Sequence, residues 1–132
     1  EIRCSCRNEE NNCISYHLRV KDWSLLAVSE FLNILQLHPE DPVVIWNLPP
    51  DDWVTMEDVH ELIKHIHSEE PASSVTSKYS SVIPFGKAST IGNEAMFLIQ
   101  GFIKGYYPPD LNSINYFKRD QKYFLDWYAN LE

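Results

Sequence analysis

Apolar side chains recur with the period of an amphipathic helix in four segments, and this pattern constrains the fold more than any other feature. The segments are residues 22–37, 56–68, 91–105 and 114–130. Each begins near a residue that can cap a helix, and Thr55 and Asp58 match a capping box. The pattern therefore predicts four helices in a mainly α domain.

Two shorter segments leave room for strands. Residues 14–20 alternate apolar and polar side chains, which is the period of a β-strand. Residues 43–48 are apolar and rich in β-branched side chains, which favours a strand. However, Pro42 after Asp41 equally favours the first turn of a short helix. The sequence does not decide between a strand and a helix for residues 43–48, and α+β is therefore the alternative fold class.

Length and composition fit one folded domain. The chain has 132 residues, of which 44% are hydrophobic, enough to bury a core without metal or disulfide support. Residues 1–13 are polar, and we predict a flexible leader there, followed by a single helical domain over residues 14–132. The longest apolar runs are too short to cross a bilayer, so we expect no transmembrane segment.

The charge balance argues against a nucleic-acid ligand. The chain carries 11 Lys and Arg against 19 Asp and Glu, a net charge of −8, and its cations are scattered. Binding to DNA or RNA draws on a basic stripe that neutralises phosphates. We therefore expect no nucleic-acid partner, whereas an acidic surface suits a basic protein partner.

The three cysteines, Cys4, Cys6 and Cys13, all lie in the predicted leader. Their spacing lacks the C-x2-C pairs that are typical of zinc sites. In an oxidising compartment Cys13 could pair with Cys4 or Cys6, and the sequence leaves open whether a disulfide forms. A lipid anchor on a precursor also stays open, but it requires Cys4 to be the first residue after processing.

Short motifs follow one another in a fixed order through the middle of the chain. They are Trp53-Val54, Glu57-Asp58, Leu62-Ile63, Ser68, Glu70-Pro71, Ser80-Ser81, Pro84, Ser89-Thr90-Ile91-Gly92, Ala95, Leu98-Ile99, Tyr107-Pro108 and Leu111. With these motifs, residues 53–113 resemble an uncharacterised family of small exported bacterial proteins of the Bacteroidetes type. The resemblance implies an irregular helical-hairpin, HEAT-like fold and an extracytoplasmic address, in the periplasm or at the cell surface. It implies no catalytic activity and no cofactor.

Two histidines on the second predicted helix support one alternative function. His60 and His67 lie about 20° apart on a helical wheel, and the Ser- and Thr-rich segment 72–89 follows them. The alternative is a hydrolase or metal-dependent enzyme built from these histidines and the 72–89 loop. His65 projects from the opposite edge, and no nucleophile–base set accompanies the serines. We therefore expect no catalytic, cofactor-binding or metal-binding residues, and no enzyme.

A helical wheel of the third predicted helix separates a core face from a solvent face. Ala95, Leu98, Ile99 and Phe102 fall on the core face, with Phe102 in the middle of the apolar stripe. Glu94 falls on the solvent side. We therefore expect Phe102 to be a core residue and Glu94 to be exposed.

Aromatic residues near two predicted turns are candidates for binding a partner. Tyr79 in the 72–89 loop, and Tyr106, Tyr107 and Pro108 at the corner after the third helix, are predicted to form one partner-binding surface. The expected function is a non-enzymatic extracytoplasmic protein that binds a protein partner. An immunity-type protein that neutralises a basic toxin is one version, and a structural component of a surface assembly is the remaining alternative.

Overall fold

The computed structural model, which describes residues 1–114 and 120–131, combines a four-stranded mixed sheet, a two-stranded sheet and four helices. The strands are β1 (Ile2–Arg7), β2 (Cys13–Leu18), β3 (Val43–Ile45), β4 (Pro71–Ala72), β5 (Val75–Ser77) and β6 (Ser89–Thr90). The helices are α1 (Val28–Leu35), α2 (Met56–Leu62), α3 (Ile91–Lys104) and α4 (Gln121–Ala129), with short 3₁₀ turns at Trp23–Leu25 and Ile63–His65. The fold class is α+β, and the prediction of a mainly α, all-helical HEAT-like domain is wrong.

The main sheet has the strand order β1-β2-β3-β5. Strands β2, β3 and β5 are parallel, with α1 and α2 in the two connections, and β1 runs antiparallel to β2. Residues 111–113 close the outer edge of β5, where the amide of Ser77 donates to the carbonyl of Leu111 over 2.7 Å. The segment 43–48, which the sequence left open, therefore contains a buried parallel strand.

The N-terminal residues form a hairpin in place of the predicted flexible leader. Strand β1 pairs with β2 from Ile2 opposite Leu18 to Arg7 opposite Cys13, with a bulge near Cys6. A disulfide joins Cys4 to Cys13, and Cys6 is a free thiol. Backbone pairing and the cross-link together attach the first strand to the domain. The strand predicted over residues 14–20 is confirmed as β2.

All four predicted helices occur, with shorter bounds. Thr55 caps α2 through the predicted capping box with Asp58, and Thr90 caps α3. Asp22 caps the first 3₁₀ turn rather than a long helix, so that α1 begins only at Val28. The fourth helix begins at Gln121, and residues 115–119 of the predicted 114–130 helix lie outside the described residues.

Helix α3 lies at the centre of the core. Residues 91–99 are all buried, because α2, the following 3₁₀ turn and α4 contact the helix on several sides. Gly92 allows one of these contacts, since a Cβ at this position would lie 2.5 Å from the carbonyl oxygen of Ile66. Phe97 is fully buried, whereas Phe102 is only half-buried. The expectation that Phe102 is a buried core residue is therefore corrected, since its side chain packs against the core and is only partly buried.

Candidate binding surface

The four residues predicted to bind a partner lie in two different environments. Tyr79 and Tyr106 are exposed, with 69% and 48% of their surface accessible. Tyr107 keeps only 3% of its surface accessible, and Pro108 is also buried. The corner after α3 therefore does not present a continuous aromatic surface.

Tyr107 belongs to an aromatic cluster inside the domain. Its ring centroid lies 5.8 Å from that of Phe31, 5.7 Å from that of Trp53 and 5.5 Å from that of Phe97. A Cβ at Gly101 would lie 3.0 Å from the Tyr107 ring, so the glycine allows this close packing. Tyr107 thus stabilises the fold, which its exposed neighbour Tyr106 cannot do to the same extent.

The two histidines of the alternative enzyme hypothesis face α4. The Nδ1 atom of His60 lies 2.6 Å from the hydroxyl of Tyr128, and Nδ1 of His67 lies 2.8 Å from Oε1 of Gln121. Among the described residues, no three His, Cys, Asp or Glu side chains are grouped as metal ligands. In this arrangement His60 connects α2 to the fourth helix, and His67 connects the turn after the 3₁₀ segment to the same helix.

Most of the Ser and Thr side chains between residues 72 and 77 are inside the protein. Strand β5 and the two residues before it are buried, including Ser73, Ser74, Thr76 and Ser77. The hydroxyl of Ser73 donates to the carbonyl of His38 over 2.9 Å. The first part of the predicted loop is therefore a core strand, and its hydroxyls do not face solvent.

The strongest polar cluster of the interior surrounds Glu94, which the helical wheel placed outside. The side chain is fully buried, and its Oε2 accepts hydrogen bonds from the hydroxyls of Ser89 and Ser113, both over 2.6 Å. The amide of Asn93 donates to the same oxygen over 3.3 Å. Because Ser113 also accepts from the amide of Val75, the cluster connects α3, β5 and the 111–113 segment.

The Glu94 carboxyl titrates at an unusual pH. Burial raises its pKa to about 7, although the hydrogen bonds from Ser113, Ser89 and Asn93 act in the opposite direction. Burial also raises the pKa of Tyr107, and the charge of Glu94 adds to this effect. Since the carboxyl has no accessible surface, it has no contact with solvent through which it could act on a substrate.

The side of the main sheet that faces away from the core is partly accessible. Arg3 and Arg19 are exposed on it and His17 and Val44 are half-buried, whereas Thr76, which pairs with Val44, is buried. Leu18, Val43, Ile45 and Val75 point from β2, β3 and β5 into the core. The next row along these strands points the other way, and it aligns Arg3 with His17 and His17 with Val44. We use the name open face for a group of side chains on this side, namely Arg3, His17, Arg19, Val44 and Trp46.

Trp46 is the large aromatic residue of the open face. It follows β3 directly, and its amide donates to the carbonyl of Leu18 over 2.9 Å, which extends the pairing with β2. The ring is 48% exposed. The guanidinium of Arg19 lies 5.2 Å from the ring centroid, and the His17 ring centroid lies 5.8 Å away. Trp and Arg are two of the residue types that are most enriched at binding hot spots.

A small cavity adjoins this group on the β1 side. Its volume is about 160 Å³, and Glu1, Arg3, His17 and Arg19 line it. Arg3 forms an ion pair with Glu1, and this hydrogen bond and charge lower the pKa of the Glu1 carboxyl. The open face therefore offers an aromatic ring, two guanidinium groups and a shallow depression at one place.

The sequence contained a partial signal for the open face. The alternation in residues 14–20 predicts that His17 and Arg19 share one side of a strand. Trp46 could not be added to that side, because periodicity did not distinguish a strand from a helix over residues 43–48. The pairing of β2 with β3 brings the three side chains together.

Comparison with known proteins gives no indication of function. No protein-family profile, no curated protein and no solved structure matches the chain. The resemblance to small exported bacterial proteins therefore stays a prediction. The Cys4–Cys13 disulfide is a weak indication of an oxidising environment. In the described part of the chain, no helix combines the length and the apolar character that a membrane span requires.

Proposed function

We propose that the protein is a non-enzymatic binding domain that recognises a protein partner through its open face. The observation that carries the proposal is the exposed Trp46 ring with the Arg19 guanidinium beside it on the open face. A Trp side chain has only two χ angles, so it supplies a large contact area at a low cost in conformational entropy when it binds.

The position of Trp46 in the fold supports the same proposal. In sheets with parallel strands, ligands bind preferentially at the carboxyl ends of the strands. Trp46 and Leu48 follow β3, and both are exposed. Leu111, also exposed, lies beside Ser77 at the same edge. The open face thus continues into an apolar rim.

The proposed address is outside the cytoplasm, in the periplasm or at the cell surface. Its support is the Cys4–Cys13 disulfide, because such bonds persist mainly in oxidising compartments. The immunity-type version requires a basic toxin, which the overall charge of −8 would attract. That version stays a prediction, because the open face itself is rich in cations.

Site-specific photo-cross-linking in the cells that carry the protein tests this function. Benzoylphenylalanine replaces Trp46 in one variant, Tyr79 in a second and Tyr123 on α4 in a third, all of which are exposed positions. We expect a discrete protein adduct from position 46, which mass spectrometry identifies, and none from position 123.

The three positions distinguish binding at the open face from binding at the loop around Tyr79. An adduct from position 79 alone would assign binding to the loop predicted from sequence and would contradict the open face. If no position gave a protein adduct, the binding function itself would be overturned. Circular dichroism of each variant controls for folding.

A further inference from the structure

We infer that the open face binds an acidic, extended segment of its protein partner, with carboxylates at Arg3 and Arg19 and an apolar side chain on Trp46. This inference rests on the proposed function and adds the chemistry of the partner. It also reverses the expectation of a basic partner that the overall charge suggested.

The charge at the open face differs in sign from that of the whole chain. The chain has a net charge of −8, whereas Arg3 and Arg19 lie together here. Lys21 is also close enough to lower the pKa of Glu1, and Glu1 is the only carboxylate among the residues that line the cavity. A cationic area on an acidic protein selects an anionic ligand.

The guanidinium groups of Arg3 and Arg19 can each bind a carboxylate from outside the chain. Arg3 already binds a carboxylate, that of Glu1, and both side chains are more than half exposed. Arg19 contacts the Trp46 ring, and no ion pair of Arg19 with a carboxylate occurs among residues 1–114 and 120–131. A guanidinium stacked on an aromatic ring keeps its edge free for a bidentate bond to a carboxylate. An incoming acidic side chain can therefore bind Arg19 at once and replace Glu1 at Arg3.

The shape of the open face fits an extended segment. Arg3, His17 and Val44 form one row across β1, β2 and β3, and Arg19 and Trp46 lie further along the same side. The cavity of about 160 Å³ beside Arg3 and Arg19 is large enough for a carboxylate side chain and too small for a folded domain. The adjacent Trp46 ring supplies the apolar contact that a purely inorganic anion would not use.

Nuclear magnetic resonance titration of the labelled protein tests the inference. The probe is a short synthetic peptide of glutamates with one central leucine, and a lysine peptide of the same length is its control. We expect the glutamate peptide to shift the Trp46 indole and the backbone amides of residues 3, 17 and 19, and the lysine peptide to leave them unchanged. Binding should weaken with salt, because the Debye length falls from about 10 Å at 0.1 M to about 3 Å at 1 M.

Charge-removing variants provide the matched comparison. Arg3→Gln with Arg19→Gln should raise the dissociation constant about tenfold, which corresponds to the loss of charged hydrogen bonds. Lys64→Gln removes one exposed, ion-paired charge from the 3₁₀ turn after α2 and should leave the constant unchanged. Trp46→Ala should weaken binding of the glutamate peptide and have little effect on an otherwise identical peptide with alanine in place of leucine.

Three results would overturn the inference. The first is the absence of shifts at the open face with the glutamate peptide, and the second is an equal effect of Lys64→Gln. The third is tighter binding of an oligonucleotide or of anionic phospholipid vesicles to the same residues, which would assign a different class of partner. A protein adduct from position 46 with any of these results would leave the proposed function standing and reject only the acidic segment.

Discussion

The interior cluster around Glu94 and Tyr107 and the open face around Arg19 and Trp46 use similar side chains in opposite surroundings. In the interior, Glu94 is fully buried, and three donors hold one of its oxygens. On the open face, the Trp46 ring and the Arg19 guanidinium contact each other and remain accessible. Buried polar and aromatic groups affect the free energy of unfolding, while exposed ones affect binding. The two regions should therefore respond to substitution in different measurements.

Two neighbouring tyrosines give the largest expected contrast. Tyr107→Ala should lower the free energy of unfolding by roughly 3–5 kcal/mol, as large aromatic-to-alanine changes in cores do. Tyr106→Ala, at a position that is 48% exposed, should change it by less than about 1 kcal/mol. Urea denaturation of both variants measures the difference. Equal losses would show that the corner after α3 is not divided between core and surface.

The buried carboxyl should make stability depend on pH. The folded pKa of Glu94 is raised to about 7 from an ordinary value of 4.5, so folding takes up a proton between these values. The contribution of Glu94 to the free energy of unfolding should therefore be largest below pH 4.5, fall by about 3 kcal/mol as pH rises through 7, and then level off.

Glu94→Gln isolates this contribution, because the variant cannot ionise at that position. The difference between wild type and variant should follow the predicted pH curve, while Glu30→Gln at an exposed position of α1 should not alter it. The measurement is urea denaturation at several pH values. A difference that does not vary with pH would mean that Glu94 is not a buried carboxyl.

The disulfide holds the strand that carries Arg3 of the open face, since Cys4 and Arg3 are adjacent in β1. Closing a loop of 9 residues stabilises the folded chain by about 2–3 kcal/mol in the chain-entropy description. Replacing Cys4 and Cys13 by serine should lower the free energy of unfolding by that amount. The same change should weaken the binding of the glutamate peptide at Arg3. Cys6→Ser is the matched control, because Cys6 is a free thiol. If the double variant had unchanged stability and unchanged affinity, β1 would not contribute to the binding surface.

The smallest expected effect on stability belongs to the open face. Trp46→Ala should change the free energy of unfolding by no more than about 0.5 kcal/mol, as substitutions at exposed positions usually do. Calorimetric melting of this variant beside Tyr107→Ala measures the contrast. A loss of several kcal/mol would make Trp46 a core residue and remove it from the proposed binding surface.

The sequence predicted the helices because caps and apolar stripes are local signals. Thr55 and Thr90 cap α2 and α3 as expected, and the alternating segment 14–20 contains β2. Strand β5 was not recognised, because Ser74, Thr76 and Ser77 are polar and resemble a loop. Their burial follows from contacts with β3 and with residues 111–113, which are distant in sequence.

The functional residues were less predictable for the same reason. Tyr106 and Tyr107 are adjacent and chemically identical, so only the position of Gly101 and the aromatic cluster decides which is buried. The helical wheel placed Glu94 outside because it assumes that one side of α3 is solvated, whereas residues 91–99 are buried on all sides. Trp46 and Arg19 meet through strand pairing, which the sequence alone does not fix.

The central claim is that the open face, and not the loop around Tyr79, binds the partner. The most direct test is the affinity of the partner identified by cross-linking for Trp46→Ala and for Tyr79→Ala, both at exposed positions. We predict a loss of about tenfold for Trp46→Ala, which is about 1.4 kcal/mol, and no change for Tyr79→Ala. A loss for Tyr79→Ala with wild-type affinity for Trp46→Ala would contradict the claim.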